Sequence, residues 1–364
     1  MDWKRILLFV AILIIVAVFY QQLRFGCGSR PVISEGMDSA PLICSDANYG
    51  DPKNLPLREY YIKSSFNTAY DGNTVSTEAI VARLAEGYRF IDFNVFCASG
   101  QEVFVGFSQG NTPTLDSGNL RLSDALNVIA KNAFIKPTTP PAGSTPVSWD
   151  YTKSPLIVNI RVFRGLGSTV DVIGNVANII NPANGASPAS AKYYVNSPNN
   201  PISVNGCTPL GDIGGKILFT MNIENVLQVY TPSGDFAKNV PDQTVTAMNT
   251  FVNFLSGGST CVAFYSYADP SLTSRTNTLI KTSDDLNSYQ TNIQYMSIAL
   301  PHPTDAKSQP DIRKFALDCS VLNLPMRVYI GSDPNLALNT KIFDESPKSG
   351  GFVPAARLRA LIDQ

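Results

Sequence analysis

Histidine is almost missing from this sequence: its 364 residues contain one, His302. Imidazole is the side chain that titrates near neutrality without special surroundings, so acid–base schemes built on a pair of histidines are excluded whatever the fold. The six cysteines, Cys27, Cys44, Cys97, Cys207, Cys261 and Cys319, form no C-x-x-C pair and have no histidine at zinc-ligand spacing. A metal cluster is therefore not expected, and no cofactor is implied. Cys97 and Cys319 sit in apolar runs and read as free buried thiols; disulfides are left open for the others. Net charge is lacking as well. The 28 basic residues against 29 acidic ones leave −1, which gives no bulk electrostatic reason for a nucleic-acid partner. The chain also has no Asn-x-Ser/Thr triplet, so its body either never meets N-glycosylation machinery or avoids acceptors.

What is present is enough apolar sequence for a large core, 44% hydrophobic against 16% charged, punctuated by 25 Gly and 25 Pro. Many turns and long surface loops follow from that punctuation. Ile6 to Tyr20 is an uninterrupted apolar run with Trp3, Lys4 and Arg5 before it and Gln21, Gln22 and Arg24 after it. As a helix, Trp3 to Leu23 reaches about 30 Å, enough to cross a bilayer. A cleaved signal peptide is the competing reading; no small-x-small site follows Tyr20, which favours an uncleaved anchor. The expected organisation is a single-pass transmembrane anchor over 1–24 with its amino terminus cytoplasmic, a Gly/Pro/Ser-rich stem over 25–55, and one domain over 56–364.

Within that domain, strands alternate with helices. Leu57 to Ser65 reads as a strand that ends in polar residues, and helices are expected over Thr74–Tyr88 and Leu120–Phe134. Phe90–Phe96, Glu102–Phe107 and Leu156–Phe163 read as strands. Alternation of this kind predicts a parallel α/β sheet or barrel.

The stretch Ser64-Ser65-Phe66-Asn67-Thr68 resembles the S-S-H-N-T strand that opens the X region of phosphatidylinositol-specific phospholipase C, with phenylalanine where the family has a catalytic histidine. Further segments are similar in the same order. Arg89 to Asn94 resembles C-V-E-L-D, Glu102 to Phe107 a strand ending Y-H-G, and Pro155 to Phe163 the run P-V-I-L-S-L-E-N-H. Gly215-Lys216-Ile217-Leu218 is similar to G-K-I-L, and Gly351-Phe352-Val353-Pro354 with Leu358-Arg359 to G-Y-V-L-K-P-x-x-L-R. The resemblance implies a β/α barrel of TIM type with an X-like half over 56–182, a linker over 183–214 and a Y-like half over 215–364.

It also implies where the chemistry should be. Two family histidines, one a base and one an acid, align with Phe66 and Phe107, neither of which moves a proton. The family's calcium ligands align with Asn67, Asp92, Asn94 and Arg161, leaving one carboxylate facing a fixed positive charge. Where the family holds phosphates with lysines after G-K-I-L, this chain has Phe219-Thr220-Met221-Asn222. Lys63 and Lys216 are better read as solvated strand ends than as ligands.

Other candidates have bland readings. His302 lies between two prolines and reads as a loop residue, Asp284-Asp285 as a helix start, and Gly165-Leu166-Gly167 lacks the third glycine of a nucleotide loop. Tyr193 and Tyr194 look exposed and could enter a bilayer, with loop packing preferred.

The reading is a membrane-anchored, catalytically inactive phospholipase-C-like barrel serving as a structural or interaction module. Its partners are the membrane, through the helix, and other proteins of an assembly; the long loops, tether and missing acceptors would suit a virion shell. Two alternatives stay open: a phosphoric diester hydrolase using Asp92, Asp71 and Lys63, and a binding module for a lipid or sugar headgroup. Arg161 is expected to take the cation's place, pairing with Asp92 and donating to Asn67 or Asn94.

Overall fold

The computed structural model describes residues 55–97, 102–109, 112–114, 120–135, 153–162, 172–180, 192–197, 200–201, 204, 208–221, 229–230, 236–237, 252–255, 262–266, 296–300, 309–319, 321–346 and 349–363. The expected anchor and stem lie outside them, apart from Leu55, as do His302, Asp284, Asp285 and the Gly165 segment. Among the described residues no helix is long and apolar enough to cross a membrane.

The chain opens with β1 (Tyr60–Ile62) and β2 (Ser64–Ser65), followed by α1 (Thr77–Ala85) and β3 (Phe90–Cys97). Then come β4 (Val103–Gln109), β5 (Thr112–Thr114), α2 (Leu122–Asn132), β6 (Leu156–Val162) and α3 (Val172–Ile180). The second half supplies β7 (Ile217–Met221), β8 (Phe254–Leu255), β9 (Val262–Ser266), β10 (Met296–Leu300), α4 (Pro334–Asp344), β11 (Phe352–Pro354) and α5 (Ala355–Asp363).

Parallel ladders join β2 to β3, β3 to β6, β6 to β7 and β7 to β8, and a separate one joins β9 to β10. Residues 321–326 bridge the two groups, since Asn323 pairs with both Ile298 and Ile62, and Met326 with Ser65. Read around, the order is β8, β7, β6, β3, β1/β2, 321–326, β10, β9, the strand order of a β/α barrel.

Alternation along the strands sorts side chains into two layers. Ile91, Phe93 and Val95 of β3, Leu156, Val158 and Ile160 of β6, and Ile217 and Phe219 of β7 share one core with Ile80 and Leu84 of α1 and Leu126 and Ile129 of α2. Phe90, Ile157 and Leu218, on the opposite faces, join Ile62, Ile298 and Phe352 in a second core inside the barrel. A third packs Tyr61 and Val353 against α4, α5 and residues 312–326.

The helix ends follow local chemistry. The Ser76 hydroxyl accepts from the Ala79 N–H, starting α1 at Thr77 rather than at the expected Thr74. Asp333 caps α4 by accepting from Asn335 and Leu336, with Pro334 in the first turn. The buried stripe of α2 is Leu122, Ala125, Leu126, Ile129 and Ala130, as its periodicity predicts.

The strand expected over Glu102–Phe107 is β4, and it pairs antiparallel with β3, because so few residues separate the two that only a hairpin can join them. Within the expected linker, Tyr194, Val195, Leu210 and Ile213 are buried and Val195 donates to the Ile217 carbonyl. Tyr194 is accordingly not exposed, and meets Phe219 edge to face. Of the two thiols, Cys319 is buried and Cys97 only partly so.

The chain closes its ends where β11 pairs antiparallel with β1. There Gly351 has φ +82°, and a Cβ on it would lie 2.7 Å from Arg89 Cγ and 2.9 Å from the Gly87 carbonyl oxygen. Both the left-handed backbone and the close approach require glycine. Gly351→Ala is expected to lower unfolding free energy by more than about 1 kcal/mol, read as a lower urea midpoint at unchanged slope; an unchanged midpoint would contradict this packing.

Candidate functional site

The barrel interior changes character along its strands. Phe90, Ile157 and Leu218 fill its amino-terminal end, and two residues further on the same faces carry Asp92, Asn159 and Thr220. Two further again stand Asn94 and Arg161, which are register partners. A polar cluster thus sits towards the carboxyl ends of the strands, where barrels of this kind keep their sites.

Asp92 is fully buried, and every acceptor position of its carboxylate is in use. Oδ1 accepts from Arg161 Nε at 2.8 Å and from Asn159 Nδ2 at 2.7 Å. Oδ2 accepts from Arg161 Nη2 at 2.6 Å and from the Asn67 backbone N–H at 3.1 Å. The Arg161 guanidinium therefore meets the carboxylate in the two-pronged geometry that only arginine offers.

Asn67 adopts φ 47°, a left-handed conformation that asparagine tolerates, and this aims its N–H at Asp92. Its Oδ1 accepts from Arg161 Nη2 at 2.9 Å and from Asn94 Nδ2 at 2.6 Å. Around this centre Thr220 Oγ1 donates to Asn159 Oδ1 at 2.7 Å, and Asp92 N donates to Thr68 Oγ1 while Thr68 N donates to the Asp92 carbonyl. Asn94 Oδ1 is buried with no hydrogen-bond partner.

Aromatic rings fill the rest of the mouth. Phe66 lies under two guanidinium groups, with Arg161 Cζ 4.1 Å and Arg327 Cζ 5.2 Å from its centroid. Phe107 stacks on Tyr70 with centroids 3.8 Å apart and meets Tyr329 edge-on at 5.6 Å. Burial pushes the Tyr329 phenol up, against the opposing pull of hydrogen bonds with the Asn67 and Arg327 side chains.

The structure brings Phe66, Asn67, Asp92, Asn94 and Arg161 together, with Phe107 beside them in the ring cluster. Lys63 is elsewhere. Its Nζ donates to the Glu86 carbonyl at 2.7 Å, beside the Tyr88 and Phe343 rings, and burial holds it below the usual lysine range. Asp71 is exposed; its carboxylate accepts from the Asn73 and Thr74 N–H groups, which hold it below the usual range.

Sequence reasoning missed Asn159, Thr220, Arg327 and Tyr329. A signal existed for the first two, which are polar residues at inward positions of apolar strands, at the same level as Asp92. For Arg327 and Tyr329, at and in the short 3-10 turn Val328–Ile330, the sequence carries none.

A calcium ion does not fit these residues. Ca²⁺ takes six to eight oxygens, whereas both Asp92 oxygens and Asn67 Oδ1 are already saturated by donors, and a guanidinium stands among them. Among the described residues, no group of three or more His, Cys, Asp and Glu side chains could hold a metal.

Comparison with known proteins agrees with this architecture. Residues 53–146 match the family model "Phosphatidylinositol-specific phospholipase C, X domain", a stretch that contains Phe66, Asn67, Asp92, Asn94 and Phe107 but stops short of Arg161. The crystal structure of L. pealei PLC21 superposes with a TM-score of 0.51 at 14% identity, over 84% of this chain and 38% of that one. S. officinalis PLC21 does so at 0.51 and 15%, over 86% and 38%. This chain thus spans well under two thirds of those proteins, and the likeness is one of fold. No curated protein matches it in sequence. Residues 53–146 are thus similar in sequence to the phosphatidylinositol-specific phospholipase C X domain, and most of the chain is similar in fold to the PLC21 structures.

Removing one member of a buried ion pair strands the other. Asp92→Asn and Arg161→Ala are each expected to destabilise by about 3–5 kcal/mol, and the double substitution by less than their sum. Equilibrium urea unfolding of the four proteins measures this, and simple additivity would contradict the coupling.

Proposed function

We propose that the chain is a catalytically inactive phospholipase-C-like barrel, anchored in a membrane by residues 1–24 and acting as a structural or interaction module. One observation carries this reading: the carboxylate that the described residues place in the barrel mouth, Asp92, has all its acceptor positions occupied by protein donors, four hydrogen bonds in total. A general base needs a lone pair free to receive a proton. Asp92 has none without breaking the cluster, and the two positions where the family keeps histidines carry Phe66 and Phe107. The fold hosts chemistry only through its site.

The competing reading, a phosphoric diester hydrolase with Asp92, Asp71 and Lys63, is disfavoured because these groups do not converge. Lys63 is engaged beside Glu86, before β3 begins, and Asp71 in an exposed turn. A place in a membrane-associated assembly such as a virion shell is consistent with the tether and the missing glycosylation acceptors.

Full-length protein in mixed vesicles, offered phosphatidylinositol and a generic phosphodiester with and without Ca²⁺, is expected to show no turnover. Phe66→His with Phe107→His is expected to stay inactive and to lose stability. The first imidazole would replace a ring packed under two guanidinium groups, which disfavour its protonated form, and the second would lose the Tyr70 stack. Turnover by the wild type that Asp92→Ala abolishes would overturn the reading.

The anchor is testable separately. After alkaline carbonate extraction the full chain is expected in the membrane pellet and a chain lacking residues 1–24 in the supernatant. Release of the full chain would remove membrane anchoring from the proposal.

A further inference from the structure

The end of the barrel opposite the mouth carries a basic sector. β3, β6 and β7 begin there, at Phe90, Leu156 and Ile217. α2 returns to the same end, where the Ala133 carbonyl accepts from Arg89 Nη1 at 2.9 Å. Two residues further on, Ile135 is 60% exposed, the most of any large apolar side chain among the described residues. Beside it Phe134 meets Tyr193 with ring centroids 5.1 Å apart, and Lys192 Nζ lies 4.9 Å from the Tyr193 centroid. Lys216 follows, because Tyr194 bridges Ile217 and the Lys216 carbonyl accepts from the Leu156 N–H. Lys153 adjoins it, its carbonyl oxygen 2.9 Å from where a Cβ on Gly214 would lie. Lys131 stands in the last turn of α2.

Lys131, Lys153 and Lys192 are exposed and Lys216 is partly so. Against these lysines the sector sets Asp212, exposed in the turn Leu210–Ile213, while Glu86 at the end of α1 is paired with Arg83 at 2.6 Å. Ammonium groups around an aromatic ring and an exposed aliphatic side chain suit an anionic bilayer surface: the charges meet lipid phosphates, and the ring and the isoleucine enter the headgroup layer.

The tether joins the body at this end too. The Leu55 carbonyl accepts from the Leu210 N–H, Pro56 bridges Pro209, and the Leu57 N–H donates to the Thr208 carbonyl, just before the turn that leads through Gly214 to Lys216. An anchor attached here keeps the basic sector at high effective concentration over the bilayer. The mouth rim offers the opposite chemistry. Ile330 there is 36% exposed, but its charged neighbours are Asp71, in the turn whose Gly72 touches Tyr329, and Asp333, which caps α4. Anionic headgroups repel both.

We propose that the body lies on anionic lipid by the amino-terminal face of its barrel, through Lys131, Ile135, Lys153, Lys192, Tyr193 and Lys216, with the mouth turned away from the bilayer. This rests on the membrane reading given above. Carbonate extraction tests the anchor and lysine footprinting tests the face, so either can fail while the other stands: a chain that carbonate releases, but whose lysines are shielded by anionic lipid, is peripheral and docked as proposed.

The experiment uses the full chain in vesicles of phosphatidylcholine, alone or with about one third phosphatidylglycerol; neither lipid has an amine or a carboxyl group. A membrane-impermeant acetylating ester reads the lysines and carbodiimide amidation reads Asp71, both by mass spectrometry. With phosphatidylglycerol, acetylation of Lys131, Lys153, Lys192 and Lys216 is expected to slow by at least about fivefold, the weight of one lysine at an anionic surface. It should recover in about 1 M NaCl, which cuts the Debye length to about 3 Å. Exposed Lys314, outside the sector, and Asp71 are expected to keep their rates. Lys192→Glu with Lys216→Glu is expected to abolish the slowing at Lys131 and Lys153 at an unchanged urea midpoint; should that variant not fold, the wild-type footprint decides alone. Equal lysine rates in the two vesicles would overturn the proposal and leave the basic face to an acidic protein. Slowed amidation of Asp71 would overturn it by putting the mouth on the membrane. So would slowing of the lysines that phosphatidylcholine alone reproduces or that salt does not relieve.

Discussion

A carboxylate at the centre of a barrel must be compensated, and the arrangement of this molecule's mouth follows from how Asp92 is. An ionised group taken out of water costs several kcal/mol even after relaxation. Here the cost is offset by a guanidinium in two-pronged contact, an asparagine amide and a backbone N–H. Those donors come from β6 and from the turn after β2, so the pair also ties separate parts of the barrel wall to β3. The left-handed backbone at Asn67 is part of the same requirement, because it turns that N–H inward.

The saturation of Asp92 also explains why the rings around it fit. Phe66 needs no proton partner and offers its face to Arg161 and Arg327, a contact that arginine makes with less loss of hydration than lysine would. Phe107, between Tyr70 and Tyr329, contributes buried area, and Phe66 under Arg161 keeps water from the guanidinium. Excluding water strengthens the Asp92–Arg161 attraction in turn. The rings and the ion pair therefore support one another, and each would be poorer alone.

Much of this was legible in the sequence where a strand's two-residue period was involved. Polar residues at 92 and 94, and at 159 and 161, stand at alternate positions in otherwise apolar strands, which puts each pair on one face, and the pairing of Arg161 with Asp92 follows once the strands are neighbours. The helix stripe of α2 was legible for the same kind of reason. What failed involved connections. The strand at 103–109 carries the same residues whether parallel or antiparallel, and only the length of the link before it decides. The polar composition of 183–214 hid Tyr194, Val195, Leu210 and Ile213, whose burial is set by contacts distant in sequence. Arg327 and Tyr329 lie at and in a single 3-10 turn, Val328–Ile330, too short for periodicity to mark which way a side chain faces.

In an open catalytic site the polar groups keep unused hydrogen-bonding capacity for the substrate, and that capacity costs stability. In this mouth nearly all of it is spent internally, on Asp92, Asn67 and Asn159. Returning any single group to a catalytic type strands its partners: a histidine at 66 faces two guanidinium groups, and a neutral residue at 161 leaves Asp92 short of its cation. The barrel is held in its present state by the same interactions that stabilise it, and a route back to chemistry would need several coupled changes, each unfavourable until the others are made.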